Sequence, residues 1–243
     1  MKKKFAVLMT RLLIVGLAAQ TQLATAAPTT KTKAKVAAPV GTAHVRLLQA
    51  IPDGPTLKVD LNDKTVTGNL AVNTVSPYFD VPSGKCHFVF TGADGKTKVW
   101  NSTRTVKADT YYTAAIYLDE SKTSLKLQDE SSTKITAEKA RIYFYNLSPD
   151  AGDLHITVAS KRAKAGYVNW LKRVRPGSAY SKSAPTGDFT LQIRQGEKVI
   201  KEIPNFKVVA GQRSCVFMLG KASALNVVTK DAGIEKMTPA DKM

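Results

Sequence analysis

Residues 44–53, HVRLLQAIPD, recur later in the chain as residues 141–150, RIYFYNLSPD. The two stretches lie 97 residues apart, and the same offset superimposes the apolar residues of the segment that follows each of them. Those matched residues are Leu57, Val59 and Leu61 in the first copy and Leu154, Ile156 and Val158 in the second. Self-similarity at a fixed spacing indicates a repeated structural unit. The chain is therefore predicted to contain two divergent copies of one domain.

The repeated segments have the pattern of β-strands. Val45 and Leu47 alternate with polar neighbours, and Phe189, Leu191 and Ile193 do the same, which is typical of a half-buried strand. Asp-Gly and Pro-Ser-Gly clusters between these runs favour tight turns, and no long helical periodicity interrupts them. The predicted fold class is all-β, with two tandem immunoglobulin-like or transthyretin-like β-sandwich domains.

The N-terminus has the elements of a secretory signal peptide. Three lysines precede a short apolar run that resumes over residues 12–19 after Arg11, and small residues follow at Ala24-Thr25-Ala26. An uncleaved N-terminal anchor is the alternative, but the run is too short for a permanent span. We expect a periplasmic or secreted protein whose mature chain has no integral membrane segment. The predicted division is a signal peptide over 1–26, a flexible leader over 27–42, a first sandwich over 43–130, a linker over 131–138, a second sandwich over 139–230 and a disordered tail over 231–243.

The formal net charge of +17 is unevenly placed. Residues 43–131 hold ten basic and ten acidic side chains, whereas residues 139–230 hold sixteen basic and five acidic ones. Part of this excess lies between the strands of the second copy, where six cations flank two aromatic residues. The candidate residues for binding an anionic polymer are Lys161, Arg162, Lys164, Tyr167, Trp170, Lys172, Arg173 and Arg175. Guanidinium groups suit carboxylates, and aromatic faces stack on sugar rings; the alternative is a solvated loop with both aromatic residues in the core.

The two cysteines, Cys86 and Cys215, fall in different copies. In an exported protein they could form a disulfide that joins the copies, or remain two separate buried thiols that pack as small hydrophobic groups. The sequence leaves both alternatives open.

Catalytic patterns are absent from the sequence. His44, His87 and His155 lack metal-site spacing, and no nucleophile elbow, phosphate-binding loop or dinucleotide fingerprint occurs. Asp53 and Asp150 recur at one position of the repeat, where Pro-Asp favours a turn capped by its own carboxylate. We therefore expect no enzyme, no metal and no cofactor. Export and the lack of a nucleic-acid motif argue against a nucleic-acid partner.

Residues 45–60 and 78–84 resemble a secreted bacterial domain of unknown function that occurs in tandem and usually reads V-R-V-x-H-A-S-P-D-A-P-x-V-D-V and then Y-L-x-V-P-A-G. The second copy keeps Ser148-Pro149-Asp150-Ala151. Gln49 and Asn146 depart from the pattern, since that family often has histidine there. This resemblance implies the tandem fold and is consistent with a secreted structural or adhesion module.

Residues 139–148, KARIYFYNLS, are similar to the pattern that opens the second half of AlgF, a periplasmic alginate O-acetylation factor. The resemblance implies a non-catalytic accessory or adaptor protein in exopolysaccharide biosynthesis and O-acetylation, whose partners are the acetylation machinery and an anionic polysaccharide. A hydrolase or transferase is the weakest alternative, because fold alone does not assign a reaction.

Overall fold

The computed structural model describes residues 41–131, 135–160 and 166–232. The predicted signal peptide, most of the leader and almost all of the predicted tail lie outside these residues. Within them, no helix is both long and apolar enough to span a bilayer.

The described residues form sixteen β-strands and one short 3-10 turn at Ala222–Ala224. The strands of the first copy are β1 (Thr42–Ala50), β2 (Leu57–Leu61), β3 (Lys64–Leu70), β4 (Val75–Pro82), β5 (Gly84–Gly92), β6 (Lys98–Val106), β7 (Tyr111–Asp119) and β8 (Lys122–Asp129). The strands of the second copy are β9 (Lys139–Asn146), β10 (Leu154–Ser160), β11 (Val168–Val174), β12 (Ser178–Pro185), β13 (Gly187–Gln195), β14 (Lys198–Val208), β15 (Arg213–Leu219) and β16 (Asn226–Asp231). The predicted all-β class is confirmed.

Four sheets of four strands make up the two sandwiches. In the first copy the inner sheet has the order β4-β1-β7-β8 and the outer sheet β3-β2-β5-β6. The second copy repeats this order as β12-β9-β15-β16 for its inner sheet and β11-β10-β13-β14 for its outer sheet. Each strand therefore has an equivalent eight strands later, which confirms the internal repeat.

The pairing within the inner sheets also repeats. β1 lies antiparallel to β4 and parallel to β7, and β9 has the same relation to β12 and β15. Asp109 and Gly211 each adopt a positive φ just before the strand that returns to this parallel position. The turn chemistry of the two copies is thus equivalent although the residues differ.

Each sandwich has its own apolar core. In the first, Val45, Leu47, Val59 and Phe88 lie between the inner and outer sheets and are fully buried or nearly so. In the second, Phe144, Ile156, Leu191 and Val216 hold the equivalent space. Burial of these alternating side chains supplies the main stabilising free energy of each sandwich.

A third core lies between the two inner sheets. Leu48, Ala115, Tyr145 and Phe217 come from β1, β7, β9 and β15 and pack together there. These strands are buried on both faces, so the prediction of a half-buried first strand is wrong at β1. The reason is that the inner sheets cover each other along these central strands, whereas the outward faces of the outer sheets lie in solvent.

Polar contacts of the segment after β15 involve the repeated aspartate of each copy, and the one to Asp53 joins the two copies. The Lys221 Nζ donates to Asp53 Oδ2 at 2.9 Å, and the backbone N–H of Ala222 donates to Asp150 Oδ1 at 2.8 Å. The two aspartates therefore bond to the segment after β15. Our expectation that each carboxylate caps its own turn is wrong, because this segment offers donors to both.

Candidate functional site

The structure separates the cations and aromatic residues predicted to form one strip. Lys161, Arg162 and Lys164 lie outside the described residues. Trp170 is only 8% exposed and packs at the edges of Phe144 and Phe189, with ring centroids 6.5 and 5.2 Å away. The prediction that Trp170 helps to bind a polymer is therefore wrong, because this side chain belongs to the core of the second sandwich.

A bulge in β11 exposes two consecutive cations. Leu154 pairs with Val174 and Ile156 with Leu171, so the single residue His155 on β10 is opposed by both Lys172 and Arg173. Bulges of this kind change the direction of side chains at sheet edges. Both side chains are exposed, and Arg173 Nε lies 2.6 Å from Asp153 Oδ2.

Arg175 follows directly after β11 and is also exposed. Within the described part of the chain, neither Lys172 nor Arg175 takes part in an ion pair. Their charges are therefore available to an external anion.

The outward face of the second outer sheet extends this group of cations. His155 pairs directly with Arg194 on β13. Both alternate with the buried Leu154, Ile156 and Ile193, so they point away from the core. We call Lys172, Arg173, His155 and Arg194 the cationic row. It crosses three neighbouring strands, which are spaced about 4.8 Å apart.

A second line of residues lies next to the cationic row. Thr157 pairs with Asn169 on one side and with Gln192 on the other, and Gln192 pairs with Glu202. We call Asn169, Thr157, Gln192 and Glu202 the polar row. It crosses all four strands of the sheet in the order β11-β10-β13-β14.

Gln192 is the centre of a hydrogen-bond network on this face. Its Nε2 donates to Glu202 Oε2 at 2.8 Å, and its Oε1 accepts from Arg194 Nη1 at 3.2 Å. Thr157 Oγ1 also lies 3.5 Å from Oε1. Gln192 is only 8% exposed although it faces outward. The amide therefore holds one cation and one carboxylate in fixed positions.

Tyr167 lies across the same face. Its hydroxyl donates to Glu202 Oε2 at 3.2 Å, and the side chain is 46% exposed. Since β10 and β13 separate β11 from β14, this contact requires Tyr167 to reach over the sheet. Loss of solvent raises the pKa of Tyr167, and the neighbouring Glu202 carboxylate raises it further. The hydroxyl therefore stays protonated and remains a donor.

The equivalent face of the first copy differs in charge and in contacts. The positions of His155, Thr157, Gln192 and Arg194 are taken there by Lys58, Asp60, Val89 and Thr91. Lys58 Nζ lies 3.4 Å from Asp60 Oδ2, and Lys98 pairs with Thr91 on the same face. Val89 provides no amide to organise a network. The hydrogen-bond network around Gln192, with Arg194 fixed beside it, therefore distinguishes the face of the second copy.

The two cysteines are free thiols. Cys86 lies in the core of the first sandwich, and Cys215 lies in the third core. The inner sheet of the first copy stands between them, so the disulfide that the sequence allowed is not formed. Burial raises the pKa of Cys86 to about 11, and burial together with the Glu130 carboxylate raises that of Cys215 well above its usual value.

Sequence reasoning missed His155, Gln192, Arg194 and Glu202, because it grouped cations by nearness along the chain. Their signal was present as polar residues that alternate with the apolar residues of β10 and β13. Alignment of the two copies would have revealed this signal, because Gln192 and Arg194 occupy the positions of Val89 and Thr91 in the first copy. Among the described residues, no group of three or more His, Cys, Asp or Glu side chains could hold a metal ion.

These features define a tandem β-sandwich protein with one distinctive polar and cationic sheet face. Residues 43–157 match the model of a domain of unknown function (DUF4397). This confirms the resemblance of the first copy to that domain, and the match extends into the start of the second copy. No curated protein matches the chain.

Solved structures match the chain at low sequence identity. The C-terminal domain of AlgF from P. aeruginosa matches at 20% identity over 39% of this chain and 98% of its own, with a TM-score of 0.31. A family 41 carbohydrate-binding module from streptococcal virulence factors matches at 15% identity over 76% and 96%, with a TM-score of 0.27. A candidate cell adhesion protein from Bacteroides uniformis matches at 8% identity over 77% and 98%, with a TM-score of 0.28. At these TM-scores the likenesses carry no conclusion about fold, ligand or role.

Proposed function

We propose that the protein is a non-catalytic accessory protein, exported to the periplasm or secreted, that binds an anionic polysaccharide through the outward face of its second outer sheet. The observation that carries this proposal is the cationic row. Lys172, Arg173, His155 and Arg194 present their polar ends on one face, with Arg173 beside Asp153 and Arg194 beside Glu197. The first copy has Lys58 and Thr91 at the positions of His155 and Arg194.

The geometry of the row suits an extended polymer. Its fixed cations are Lys172 and Arg173 on β11 and Arg194 on β13, and β10 lies between these strands. The charges are therefore separated by about two strand spacings, ~9.6 Å. This spacing is comparable with the length of two sugar units in an extended polysaccharide. A chain lying across the strands therefore brings the carboxylates of alternate sugar units onto the cations of β11 and β13, and Arg groups bind carboxylates by two parallel hydrogen bonds.

The proposed process is O-acetylation of an alginate-like exopolysaccharide. The similarity of residues 139–148 to the AlgF pattern supports this role, and the polymer site supports an adaptor that presents the substrate to an acetylation partner. Acetyl transfer itself is assigned to that partner.

Retention on immobilised alginate at increasing salt tests the binding. The variant Lys172→Ser with Arg194→Thr removes two charges from the cationic row. The matched control, Lys58→Ser with Lys98→Ser, removes two from the equivalent face of the first copy. We expect the affinity of the first variant to fall about tenfold, which corresponds to about 1.4 kcal/mol. The control should change little. Equal losses in both variants would indicate that net charge, and not this face, binds the polymer.

The acetylation role is tested in cells that lack the gene. Polymer made by such cells should carry fewer acetyl groups, and the wild-type protein should restore them while the cationic-row variant should not. Polymer with unchanged acetyl content would favour the alternative of a surface or adhesion module.

A further inference from the structure

The polar row lies beside the cationic row and contains a carboxylate and two amides, and the exposed ring of Tyr167 is bonded to its carboxylate. We propose that Tyr167, Glu202 and Asn169 form a sugar-ring subsite, so that the ligand is a polymer of uronate sugars and not a polyphosphate or nucleic acid. This inference rests on the proposed function, because it assigns the ligand class of the same face.

The Tyr167 ring is a ready platform for a sugar. It is 46% exposed, and its hydroxyl is anchored to Glu202 at 3.2 Å. A side chain that is already held in place loses little conformational entropy on binding. Pyranose rings present C–H groups that pack on an aromatic face, whereas phosphate groups have no such surface.

Glu202 distinguishes ligands that carry hydroxyl donors. The bonds from Tyr167 and Gln192 both end on Oε2, which leaves Oε1 as an acceptor for a sugar hydroxyl. Its negative charge lies close to the cationic row and repels a densely charged polymer. A ligand with carboxylates on one edge and hydroxyls on the other fits both rows.

Gln192 makes the subsite rigid. The almost buried amide bonds to both Glu202 and Arg194, at 2.8 and 3.2 Å. Gln192 therefore fixes the position of Glu202, which accepts from sugar hydroxyls, relative to Arg194, which binds the sugar carboxylate. Fixed spacing of binding groups by a supporting residue is what specific recognition requires. Val199, exposed and paired with Arg194, adds an apolar contact at the far edge of the face.

The test compares the binding of alginate oligosaccharides and of polyphosphate at one ionic strength by calorimetry. The wild-type protein should prefer the oligouronate by about tenfold or more. Tyr167→Ala should lose most of that preference while its affinity for polyphosphate stays unchanged. Tyr167→Phe, which keeps the ring, should lose less. Glu202→Gln should weaken oligouronate binding and strengthen polyphosphate binding.

Tyr180→Ala is the matched control, because Tyr180 is an exposed tyrosine on β12 of the inner sheet. It should bind both ligands as the wild type does. If the cationic-row variant loses binding and Tyr167→Ala does not change the preference, the sugar-ring subsite is wrong while the polymer face stands. If the wild-type protein binds neither ligand, the proposed function itself is wrong.

Discussion

Arg46 and Glu130 form a salt bridge, Nη2 to Oε2 3.1 Å, in the interior of the junction between the two inner sheets. The two residues are 2% and 0% exposed. Thr113, Tyr78 and Tyr145 each donate a hydroxyl hydrogen bond to the Glu130 carboxylate. Burial by itself lowers the pKa of Arg46, but Glu130 together with Cys215, Tyr78 and Tyr145 more than offsets this, and the pKa is raised. The Arg46 guanidinium therefore stays ionised.

The pair also ties the first copy to the second. Arg46 Nη1 donates to the backbone carbonyl of Asp231 on β16 at 2.8 Å, and its Nη2 lies 2.9 Å from Cys215 Sγ on β15. One guanidinium thus bonds to strands of both inner sheets. A fully bonded buried ion pair fixes how two surfaces fit, because any other fit leaves a charge without a partner.

Removal of one partner should strongly destabilise the protein. We expect Arg46→Met or Glu130→Gln to lower the free energy of unfolding by about 3–5 kcal/mol, the usual cost of an unpaired buried charge or its lost bonds. Urea denaturation measures the change. The control is Lys221→Met, which breaks the exposed bridge to Asp53 and should cost less than about 1 kcal/mol. Similar losses for the buried and exposed bridges would contradict this account of the junction.

Much of the sandwich architecture could be predicted from the sequence, because the repeat and the alternation of apolar residues at Val45, Leu47, Leu57 and Val59 are local signals. The third core could not, since it depends on which two sheets meet. Its trace is the continuous apolar and aromatic run over residues 142–145, which is typical of a strand buried on both faces.

The candidate site was only partly predictable for the same reason. Lys172 and Arg173 lie in a basic stretch that is visible along the chain. Gln192 and Glu202 lie on other strands and join them only through sheet pairing. The sequence was compatible with either an exposed or a buried Trp170. Its burial depends on which face of β11 its side chain occupies, and this follows from the strand pairing.

Gly177 lies at a point where the two copies touch closely. It has φ +66°, and a Cβ there would meet Tyr117 Oη at 2.6 Å. Gly177→Ala should therefore cost more than the about 1–2 kcal/mol of left-handed backbone strain alone. Gly196→Ala gives that strain by itself, because Gly196 has φ +56° and open space around it. Thermal unfolding of both variants measures the difference.

The clash at Gly177 can be tested separately from its strain. Tyr117→Phe removes the hydroxyl that lies nearest, so it should recover part of the stability lost in Gly177→Ala. It should recover nothing in the Gly196→Ala background. Equal effects in the two backgrounds would argue against a contact between Gly177 and Tyr117.

Alkaline pH should destabilise the protein through its buried acids. Burial raises the pKa of Cys86 from 9.0 to about 11, and the pKa values of Tyr78 and Tyr145 are raised by burial and then by Glu130. The unfolded chain releases these protons first, so stability is complete below about pH 9 and falls as pH rises further. The Cys86 thiol contributes to this fall between about pH 9 and pH 11. The urea concentration at the unfolding midpoint, measured from pH 7 to 11, should fall more steeply with pH for the wild type than for Cys86→Ala.

The thiols should be protected but free. Because Cys86 and Cys215 are buried in different cores, neither should react with a thiol reagent in the native protein, and both should react in denaturant. Electrophoretic mobility should be the same with and without reductant. A faster band without reductant would reveal a disulfide and contradict the separation of the two cysteines by the inner sheet.

The two sandwiches should unfold as one cooperative unit, because unfolding either one would expose the third core and leave the Arg46–Glu130 pair without half of its contacts. The chain offers one tryptophan in each sandwich, Trp100 in the first and Trp170 in the second. Fluorescence of Trp170→Phe then reports the first sandwich, and that of Trp100→Phe reports the second. Calorimetry measures how much each substitution lowers the free energy of unfolding. After correction for that difference, the urea transitions of the two variants should coincide.

The same reporters give a sharper test of the junction. Glu130→Gln lies at the end of the first copy, yet it should shift the transition of the Trp100 and Trp170 reporters by the same amount, since a cooperative unit has a single free energy of unfolding. A shift confined to the Trp100 reporter would mean that the sandwiches unfold independently. In that case the buried ion pair would stabilise the first copy alone, and the third core would add too little free energy to couple the two.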